Sequence, residues 1–159
     1  MDFATADLID DFDAELRSCE TQFTQYGART TFAGQVVTIR CHRDNGLVKK
    51  TLNSPGDGQV LVVDGGASLA SALMGDMIAA AAVSNGWTGV VINGAVRDVA
   101  TLRTLNLGIK ALGSNPRKSA KEGTGEKNPQ LTLGTTTITP GDWLYSDEDG
   151  LLLATRPLI

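Results

Sequence analysis

The sequence is poor in several residue types on which common classes of protein depend. Its 159 residues include one histidine, two cysteines and eight aromatic side chains, namely two Trp, two Tyr and four Phe. One histidine excludes a three-histidine zinc site, and so few aromatics argue against a base-stacking platform for nucleic acid. The net charge of −4 and the pI near 4.9, without a basic run, also argue against nucleic acid as the main partner.

Long apolar runs and a basic leader are missing as well. The longest apolar region, residues 77–83, is rich in alanine and far shorter than the roughly 18 residues of a membrane helix. Residues 1–7 are acidic, unlike a signal peptide. Cys19 and Cys41 lack metal-site or redox spacing and suit a reducing compartment. We therefore expect a cytoplasmic protein without a membrane partner.

The hydrophobic content of 42 % is sufficient for a core, and no repeat or low-complexity segment divides the chain. We therefore expect a single domain over residues 1–159. Apolar residues at helical spacing predict an amphipathic helix over residues 5–19. Alternation predicts a strand over residues 34–40, and Asn45 is a candidate cap for a short helix that ends at Leu52.

The middle of the chain has the pattern of a β-α-β-α-β unit, which is typical of mainly parallel sheets. The predicted elements are a β-branched strand over 60–64, a Gly-rich break over 65–68, a helix that ends near Asn85 with Gly86 as its C-cap, a strand over 89–92, a helix that ends at Leu105 and a strand over 109–112.

The rest of the chain is a polar loop followed by a β-rich part. The loop, residues 113–130, is rich in Lys, Ser and Gly. Basic side chains in or beside it can bind an anion, although a solvated loop is the simpler interpretation: Lys110, Arg117, Lys118, Lys121 and Lys127. Short strands are predicted over residues 131–133, 135–139, 143–145 and 151–153, with turns at 140–142 and 147–150. The predicted fold class is α/β, with a central mainly parallel sheet and a β-rich C-terminal part.

Three charged side chains are predicted to converge at one edge of the sheet. Asp76 lies near the start of a predicted helix, and Arg97 and Asp98 follow the next strand. The start of that helix and the end of that strand lie at the edge where open α/β sheets bind ligands.

Each residue at this edge has a plausible chemical role. Free N–H groups from Gly75 to Ile78 can bind a carboxylate, and Arg97 has a planar fork suited to a carboxylate or an enolate oxygen. Asp98 has hard oxygens for Mg²⁺ or Mn²⁺, and Asp76 can act as a base or hold a metal-bound water. The plain structural alternative is that the two acids only stabilise helix N-termini and that Arg97 forms a surface salt bridge.

Several short motifs together carry a resemblance to a known family. They are Val62-Val63-Asp64-Gly65-Gly66, Gly75-Asp76, Gly94-Ala95-Val96-Arg97-Asp98, Gly123-Thr124-Gly125-Glu126, Pro140-Gly141-Asp142 and Asp149-Gly150. With these motifs the chain resembles the RraA-like family, from about Thr5 to the C-terminus. This family includes regulators of ribonuclease E activity and class II 4-hydroxy-4-methyl-2-oxoglutarate aldolases. Its most specific feature is an Asp, twenty intervening residues and then Arg-Asp, matched here by Asp76, Arg97 and Asp98.

The resemblance implies a compact fold with swivelling β/β/α layering, assembled as a homotrimer with sites near subunit boundaries. It implies that Asp98 holds a divalent metal, Mg²⁺ or Mn²⁺, largely through waters. It also implies that Arg97 contacts the pyruvyl group of the substrate. The amides of Gly75, Asp76, Met77 and Ile78 would take the substrate carboxylate.

The expected activity is metal-dependent cleavage of 4-hydroxy-4-methyl-2-oxoglutarate and related 4-hydroxy-2-oxo acids to pyruvate, with Asp76 and Arg97 catalytic. Decarboxylation of oxaloacetate is an expected side activity. Longer aldolases of the family carry a C-terminal extension that adds an acidic residue to a neighbouring site, and this chain, which stops at Ile159, is expected to lack it.

Two other functions remain open from the sequence. The first is a non-enzymatic regulator that binds ribonuclease E or its partners, which the short length favours. The second is a methyltransferase, because residues 62–66 superficially resemble a nucleotide-binding turn, although a full Gly-x-Gly-x-x-Gly is absent.

Overall fold

The computed structural model describes residues 2–159. The helices are α1 (Thr5–Phe12), α2 (Gly46–Leu52), α3 (Asp76–Ser84) and α4 (Val99–Leu102), and a 3-10 turn spans Asp13–Glu15. The strands are β1 (Arg17–Ser18), β2 (Thr24–Gln25), β3 (Phe32–Arg40), β4 (Val60–Asp64), β5 (Ala72–Met74), β6 (Gly89–Val96), β7 (Gly108–Ser114), β8 (Glu126–Lys127), β9 (Leu131–Leu133), β10 (Thr136–Ile138), β11 (Trp143–Ser146) and β12 (Leu151–Ala154). None of the described helices is long and apolar enough to cross a membrane.

Four parallel strands form the centre of the main sheet, in the order β3-β4-β6-β7. Val63 of β4 is paired with Ile39 of β3 on one side and with Ile92 of β6 on the other. The β-branched run of β4 is fully buried, as is typical of a parallel strand covered on both faces. The predicted parallel centre is therefore confirmed.

Antiparallel strands extend this centre on both sides. The strand order is β1-β12-β11-β3-β4-β6-β7-β2, with β5 also paired with β6 and β8 with β3. Strands β9 and β10 form a separate two-stranded hairpin. The C-terminal part is β-rich, as predicted, and the main sheet is mixed rather than purely parallel.

The two faces of β4 pack against different layers. Leu61 and Val63 belong to an apolar cluster with Ile78 and Ala79 of α3. Val60 and Val62 belong to a second cluster that includes β9 and β10. Helices therefore cover one face of the sheet and a β-hairpin covers the other, which is the predicted β/β/α layering. Burial of each such side chain contributes about 1.5–3 kcal/mol.

The ring of Phe32 lies against two glycines on neighbouring parallel strands. A Cβ atom on Gly89 would lie 2.5 Å from Phe32 Cδ2, and a Cβ atom on Gly108 would overlap the same ring. The lack of side chains at these two positions lets the aromatic ring pack directly on the backbone of β6 and β7.

The first helix is shorter than predicted. The spacing of apolar residues predicts a helix over residues 5–19, but α1 ends at Phe12. Arg17 and Ser18 are paired with β12 instead, and the Arg17 guanidinium donates to Asp142 Oδ2 at 2.6 Å. Strand pairing and this ion pair override the local helical pattern.

A short strand before α3 was not predicted. Residues 72–74 form β5, which is paired with an extension of β6 up to Val96, and α3 begins only at Asp76. Ala72, Leu73 and Met74 are buried. The three residues are too few to produce a periodic pattern, so the sequence alone does not distinguish them from the first turn of the helix.

Lys110 does not belong with the basic loop. It lies in β7, where its side chain is buried and its Nζ donates to the Asp147 carbonyl at 2.6 Å. Burial lowers the pKa of Lys110, and the nearby carboxylates of the 147–149 turn only partly offset that effect. This lysine is therefore a structural contact between β7 and the turn rather than an anion ligand.

Candidate functional site

The N-terminus of α3 and the end of β6 meet, as predicted. The backbone N–H of Asp76 donates to Asp98 Oδ2 at 3.0 Å, although the two residues are 22 positions apart. The Arg97 backbone N–H donates to the Met74 carbonyl at 3.0 Å, which fixes Arg97 beside the start of the helix. The structure therefore brings Asp76, Arg97 and Asp98 together.

Gly75 is required for this close approach. A Cβ atom at position 75 would lie 2.5 Å from Asp98 Oδ2 and 3.2 Å from Arg97 Cγ. The backbone of Gly75 is extended, with φ −122°, so its role is to leave space rather than to adopt an unusual conformation. A larger residue would displace both charged side chains.

Asp98 adopts a left-handed backbone conformation, with φ 60° and ψ 40°. Such a conformation is unfavourable for a non-glycine residue by about 1 kcal/mol or more and is often found at functional sites. It turns the chain between β6 and α4. Oδ2 accepts the Asp76 amide, whereas no described residue donates to Oδ1, and the residue is exposed.

Arg97 has no carboxylate partner among the described residues. Within residues 2–159, its only side-chain hydrogen bond is a long one, from Nη1 to the Pro116 carbonyl at 3.4 Å. The guanidinium is half-buried, so most of its donors remain available to a ligand. The alternative role considered for Arg97, a surface salt bridge, is therefore absent from the described residues.

The four amides expected to take a carboxylate are not equivalent. Asp98 already occupies the Asp76 N–H. The Met77 and Ile78 N–H groups lie in the first turn of α3, where the helix supplies no acceptor. Ile78 is buried and the Met77 side chain is 83 % exposed, so both would act on a ligand through their backbone.

A small cavity of about 60 Å³ lies between these groups. Residues outside the predicted site also line it, notably Asn45, Lys118 and Lys121. The lysines belong to the loop for which a solvated surface was the simpler interpretation. The sequence positions of the two lysines do not predict that they lie at the cavity. They lie there because the loop that follows β7 runs beside β5 and the start of α2.

Asn45 lies at the N-cap position of α2, as predicted, but its side chain makes no capping hydrogen bond. It is 6 % exposed, and its Oδ1 atom is buried without a hydrogen-bond partner among the described residues. The capping bond is made instead by Asp44, whose Oδ1 accepts the Gly46 N–H at 2.9 Å.

Asp44 also binds the first two residues of the Gly-Thr-Gly-Glu motif. Its carboxylate accepts the N–H groups of Glu122 and Gly123, both at 3.0 Å, and the Thr124 hydroxyl at 3.1 Å. Burial raises the pKa of Asp44, but these donors outweigh that effect, so its pKa lies below its usual value. The loop beside the cavity is thus tied to one buried carboxylate.

The donor set suits a loosely held hard cation. The described residues contain no group of three His, Cys, Asp or Glu side chains that could hold a metal. One exposed carboxylate with a free oxygen, Asp98 Oδ1, is nevertheless the kind of ligand set with which Mg²⁺ retains most of its waters. The residues present therefore fit a water-rich Mg²⁺ or Mn²⁺ site and do not fit a protein cage.

A larger groove of about 620 Å³ lies at the other end of the parallel strands, lined in part by Phe32, Gly58 and Trp143. It includes the charged side chains Arg29 and Asp57, but it does not combine a helix N-terminus with unpaired cations. Chemistry rather than size therefore favours the cavity at Asp98.

Comparison with known proteins places the chain in a family. The RraA-like family (Aldolase/RraA) matches residues 5–153. The RNA-processing inhibitor RraA from Thermus thermophilus is 46 % identical, with a TM-score of 0.96 over 100 % of this chain and 96 % of that chain. An S-adenosylmethionine:2-dimethylmenaquinone methyltransferase from Geobacillus kaustophilus is 40 % identical, with a TM-score of 0.96 over 98 % of this chain and 97 % of that chain.

A more distant structure shares the fold alone. Streptomyces coelicolor RraAS2, of the RNase ES inhibitor RraA family, is 22 % identical, with a TM-score of 0.78 over 98 % of this chain and 81 % of that chain. The family match extends over almost the whole chain, and two full-length structural neighbours are at least 40 % identical. The chain belongs to the RraA-like family.

Proposed function

We propose that the protein is a metal-dependent aldolase that cleaves 4-hydroxy-4-methyl-2-oxoglutarate and related 4-hydroxy-2-oxo acids to pyruvate. The observation that carries this proposal is the arrangement at the start of α3. Asp98 is held by the Asp76 amide beside Arg97, a cation without a carboxylate partner. A cation, a hard oxygen and free helix amides are the groups that an enolate-forming reaction of a 2-oxo acid needs.

Each residue at the site has a separate role in the proposed reaction. The Met77 and Ile78 amides bind the carboxylate next to the 2-oxo group. Asp98 would hold a divalent metal, which supplies Lewis-acid polarisation of the 2-oxo group when bound. Arg97 donates to the 2-oxo oxygen and stabilises the negative charge that develops on it. Asp76, or a water that it orients, takes the proton of the 4-hydroxyl group.

The proposed cleavage moves the electron pair of the C3–C4 bond onto the pyruvate fragment. Loss of the hydroxyl proton forms the new carbonyl at C4, the C3–C4 bond breaks, and its electron pair becomes the enolate of pyruvate. Protonation of that enolate at its methylene carbon gives pyruvate. Loss of CO₂ from oxaloacetate forms the same enolate, so the same residues would support decarboxylation.

The test is pyruvate release from 4-hydroxy-4-methyl-2-oxoglutarate and from oxaloacetate, with added Mg²⁺ and with EDTA. We expect EDTA to abolish release and Arg97→Ala to lower it at least about 100-fold. Arg103→Ala, which removes an exposed arginine outside the cavity, is the matched control and should leave the rate unchanged. A wild-type rate that EDTA does not change would refute the metal-dependent mechanism.

We further propose that the protein is a homotrimer with the site near a subunit boundary. The Met77 side chain supports this, because it lies at the cavity and is 83 % exposed, which is unusual for a large apolar residue. Light scattering should give a mass of about 50 kDa, three times 16.7 kDa. A monomer mass would refute the assembly.

A second candidate function is regulation of an RNA-processing ribonuclease. It is favoured by the 46 % identity to the RNA-processing inhibitor from Thermus over the full chain. Addition of the purified protein to a ribonuclease E cleavage assay tests it, and Arg97→Ala separates the two functions. Inhibition that survives Arg97→Ala, without pyruvate release by the wild type, would favour the regulator.

The methyltransferase named among the structural neighbours is less well supported here. Residues 62–66 lack the full Gly-x-Gly-x-x-Gly of a nucleotide-binding turn. Calorimetry with S-adenosylmethionine decides the point, and measurable binding would reinstate this function.

A further inference from the structure

The cavity at Asp98 contains more positive charge than the proposed chemistry uses. Lys118 and Lys121 line it together with Arg97, against the two carboxylates of Asp76 and Asp98. Within residues 2–159, neither lysine forms an ion pair. In a chain with net charge −4, three unpaired cations around one small cavity point to an anionic ligand with more than one charge.

Asn45 is a second and independent indication of a ligand. Asn45 lines the same cavity and is more than nine-tenths buried, and its Oδ1 atom has no donor among the described residues. A buried acceptor without a partner is unfavourable in a folded protein and needs a reason. A water molecule held beside a bound ligand would supply the missing donor.

The backbone that carries the lysines is fixed rather than loose. Lys118 forms a β-bridge with Ala72, and Ala120 forms one with Asp44. The Ser119 hydroxyl, which is buried, donates to the Ala72 carbonyl at 2.7 Å. Both lysines therefore start from defined positions at the cavity, although their side chains are exposed.

We propose that Asn45, Lys118 and Lys121 form a specificity subsite for the far end of the substrate. Asn45 accepts a hydrogen bond from the water that takes the proton of the 4-hydroxyl group, and the two lysines bind the carboxylate attached to C4. Asp44 acts as a positioning residue, because its carboxylate holds the backbone just beyond Lys121. This inference rests on the proposed aldolase function and assigns the substrate preference to named residues.

The main test compares two substrates that differ at one group. 4-Hydroxy-4-methyl-2-oxoglutarate carries the carboxylate at C4, whereas 4-hydroxy-2-oxopentanoate does not. We expect Lys118→Ala with Lys121→Ala to lower kcat/KM for the first about tenfold or more and to leave the second within about twofold. Lys127→Ala, an exposed lysine outside the cavity, is the control. Equal losses on both substrates, or no loss on either, would overturn the lysine assignment.

Asn45→Leu tests the contact of Asn45 with the water beside the 4-hydroxyl group. It should lower kcat/KM for both 4-hydroxy acids and spare decarboxylation of oxaloacetate, which has no hydroxyl group at C4. Because the Asn45 amide oxygen has no partner to lose, the melting temperature should stay the same or rise. A loss of stability with equal loss of all three activities would show a purely structural role and refute the contact.

A binding experiment separates failure of the subsite from failure of the aldolase function. Calorimetry compares 2-oxoglutarate with 2-oxopentanoate, which has the same chain length and one carboxylate fewer. We expect tighter binding of 2-oxoglutarate by the wild type and loss of that difference in the double lysine variant. If this holds while no pyruvate is released from any substrate, the aldolase proposal fails and the subsite stands. If the wild type does not distinguish the two anions, the subsite is refuted.

Discussion

The backbone N–H of Asp76 donates to the Oδ2 atom of Asp98, which therefore lies directly at the N-terminus of α3. The first turn of the helix therefore fixes the position of this carboxylate. The same bond removes one amide from the set that can bind a ligand. Asp98 is thus oriented by the helix, and its other oxygen has no donor among the described residues.

Asp98→Asn tests this orientation. The asparagine side-chain oxygen can still accept the Asp76 amide, so the free energy of unfolding should change by less than about 1 kcal/mol. The charge is lost, however, so pyruvate release should fall at least about 100-fold. Denaturant unfolding and the pyruvate assay check the two outcomes, with Asp10→Asn on exposed α1 as the control. Full activity of Asp98→Asn would remove this carboxylate from the mechanism.

Gly75→Ala should disturb the site through a steric clash alone. The new Cβ would lie 2.5 Å from Asp98 Oδ2, so that side chain must move. We expect a loss of about 1–3 kcal/mol of stability and a larger relative loss of activity. Gly113→Ala is the matched control, because its Cβ would meet Leu69 at an ordinary 3.5 Å. Equal behaviour of the two variants in unfolding and activity assays would contradict the account of Gly75.

Asp44 makes stability depend on acid pH. Its folded pKa lies below the unfolded value of 3.8, so its contribution is present above that value and is lost as the pH falls through the folded pKa. Asp44→Asn should cost about 1–3 kcal/mol at pH 7, and the gap to the wild type should narrow between about pH 5 and pH 2. Urea unfolding at several pH values measures this gap, and a constant gap would show that charge is not involved.

The two free thiols should react at very different rates. Burial raises the pKa of Cys41 to about 11, with smaller contributions from the charges of Asp44 and Asp64. At pH 8 the reactive thiolate of Cys41 is therefore on the order of 0.1 % of the total. Cys19 is half-buried, so iodoacetamide should modify it well before Cys41. Mass spectrometry of the digested protein identifies the labelled residue, and earlier labelling of Cys41 would be the contrary result.

Gly108→Ala tests the packing of Phe32 on the sheet. The added methyl group would overlap the buried Phe32 ring, so the ring or the strand would have to move. We expect destabilisation of about 1–3 kcal/mol, read from the shift of the urea midpoint. Combination with Phe32→Leu should cost less than the sum of the two single changes, because the clash is with the ring.

Local patterns were sufficient for the centre of the fold. The β-branched run of β4 and the apolar start of β6 predicted buried parallel strands, and their order placed Asp76 near Arg97 and Asp98. Patterns failed where tertiary contacts decide the structure. Arg17 leaves the helical pattern of α1 to bind Asp142, and the three residues of β5 are too short to give a period.

The far side of the cavity was not accessible to the same reasoning. Lys118 and Lys121 lie in a segment whose composition is typical of a solvated loop, and the sequence indicates only a helix-capping role for Asn45. Their common location depends on Asp44, whose bonds to the loop span 78 to 80 positions of the chain. The local sequence pattern does not predict a contact between residues so far apart in the chain.

The way in which Asp44 holds the loop has an evolutionary consequence. Its bonds to Glu122 and Gly123 go to backbone N–H groups, and only Thr124 contributes a side chain. The identities of the residues at 118 and 121 are therefore independent of what fixes the loop in place. Substitution of those two side chains should therefore have little effect on folding. The same fold can gain or lose a ligand preference without a change in its backbone.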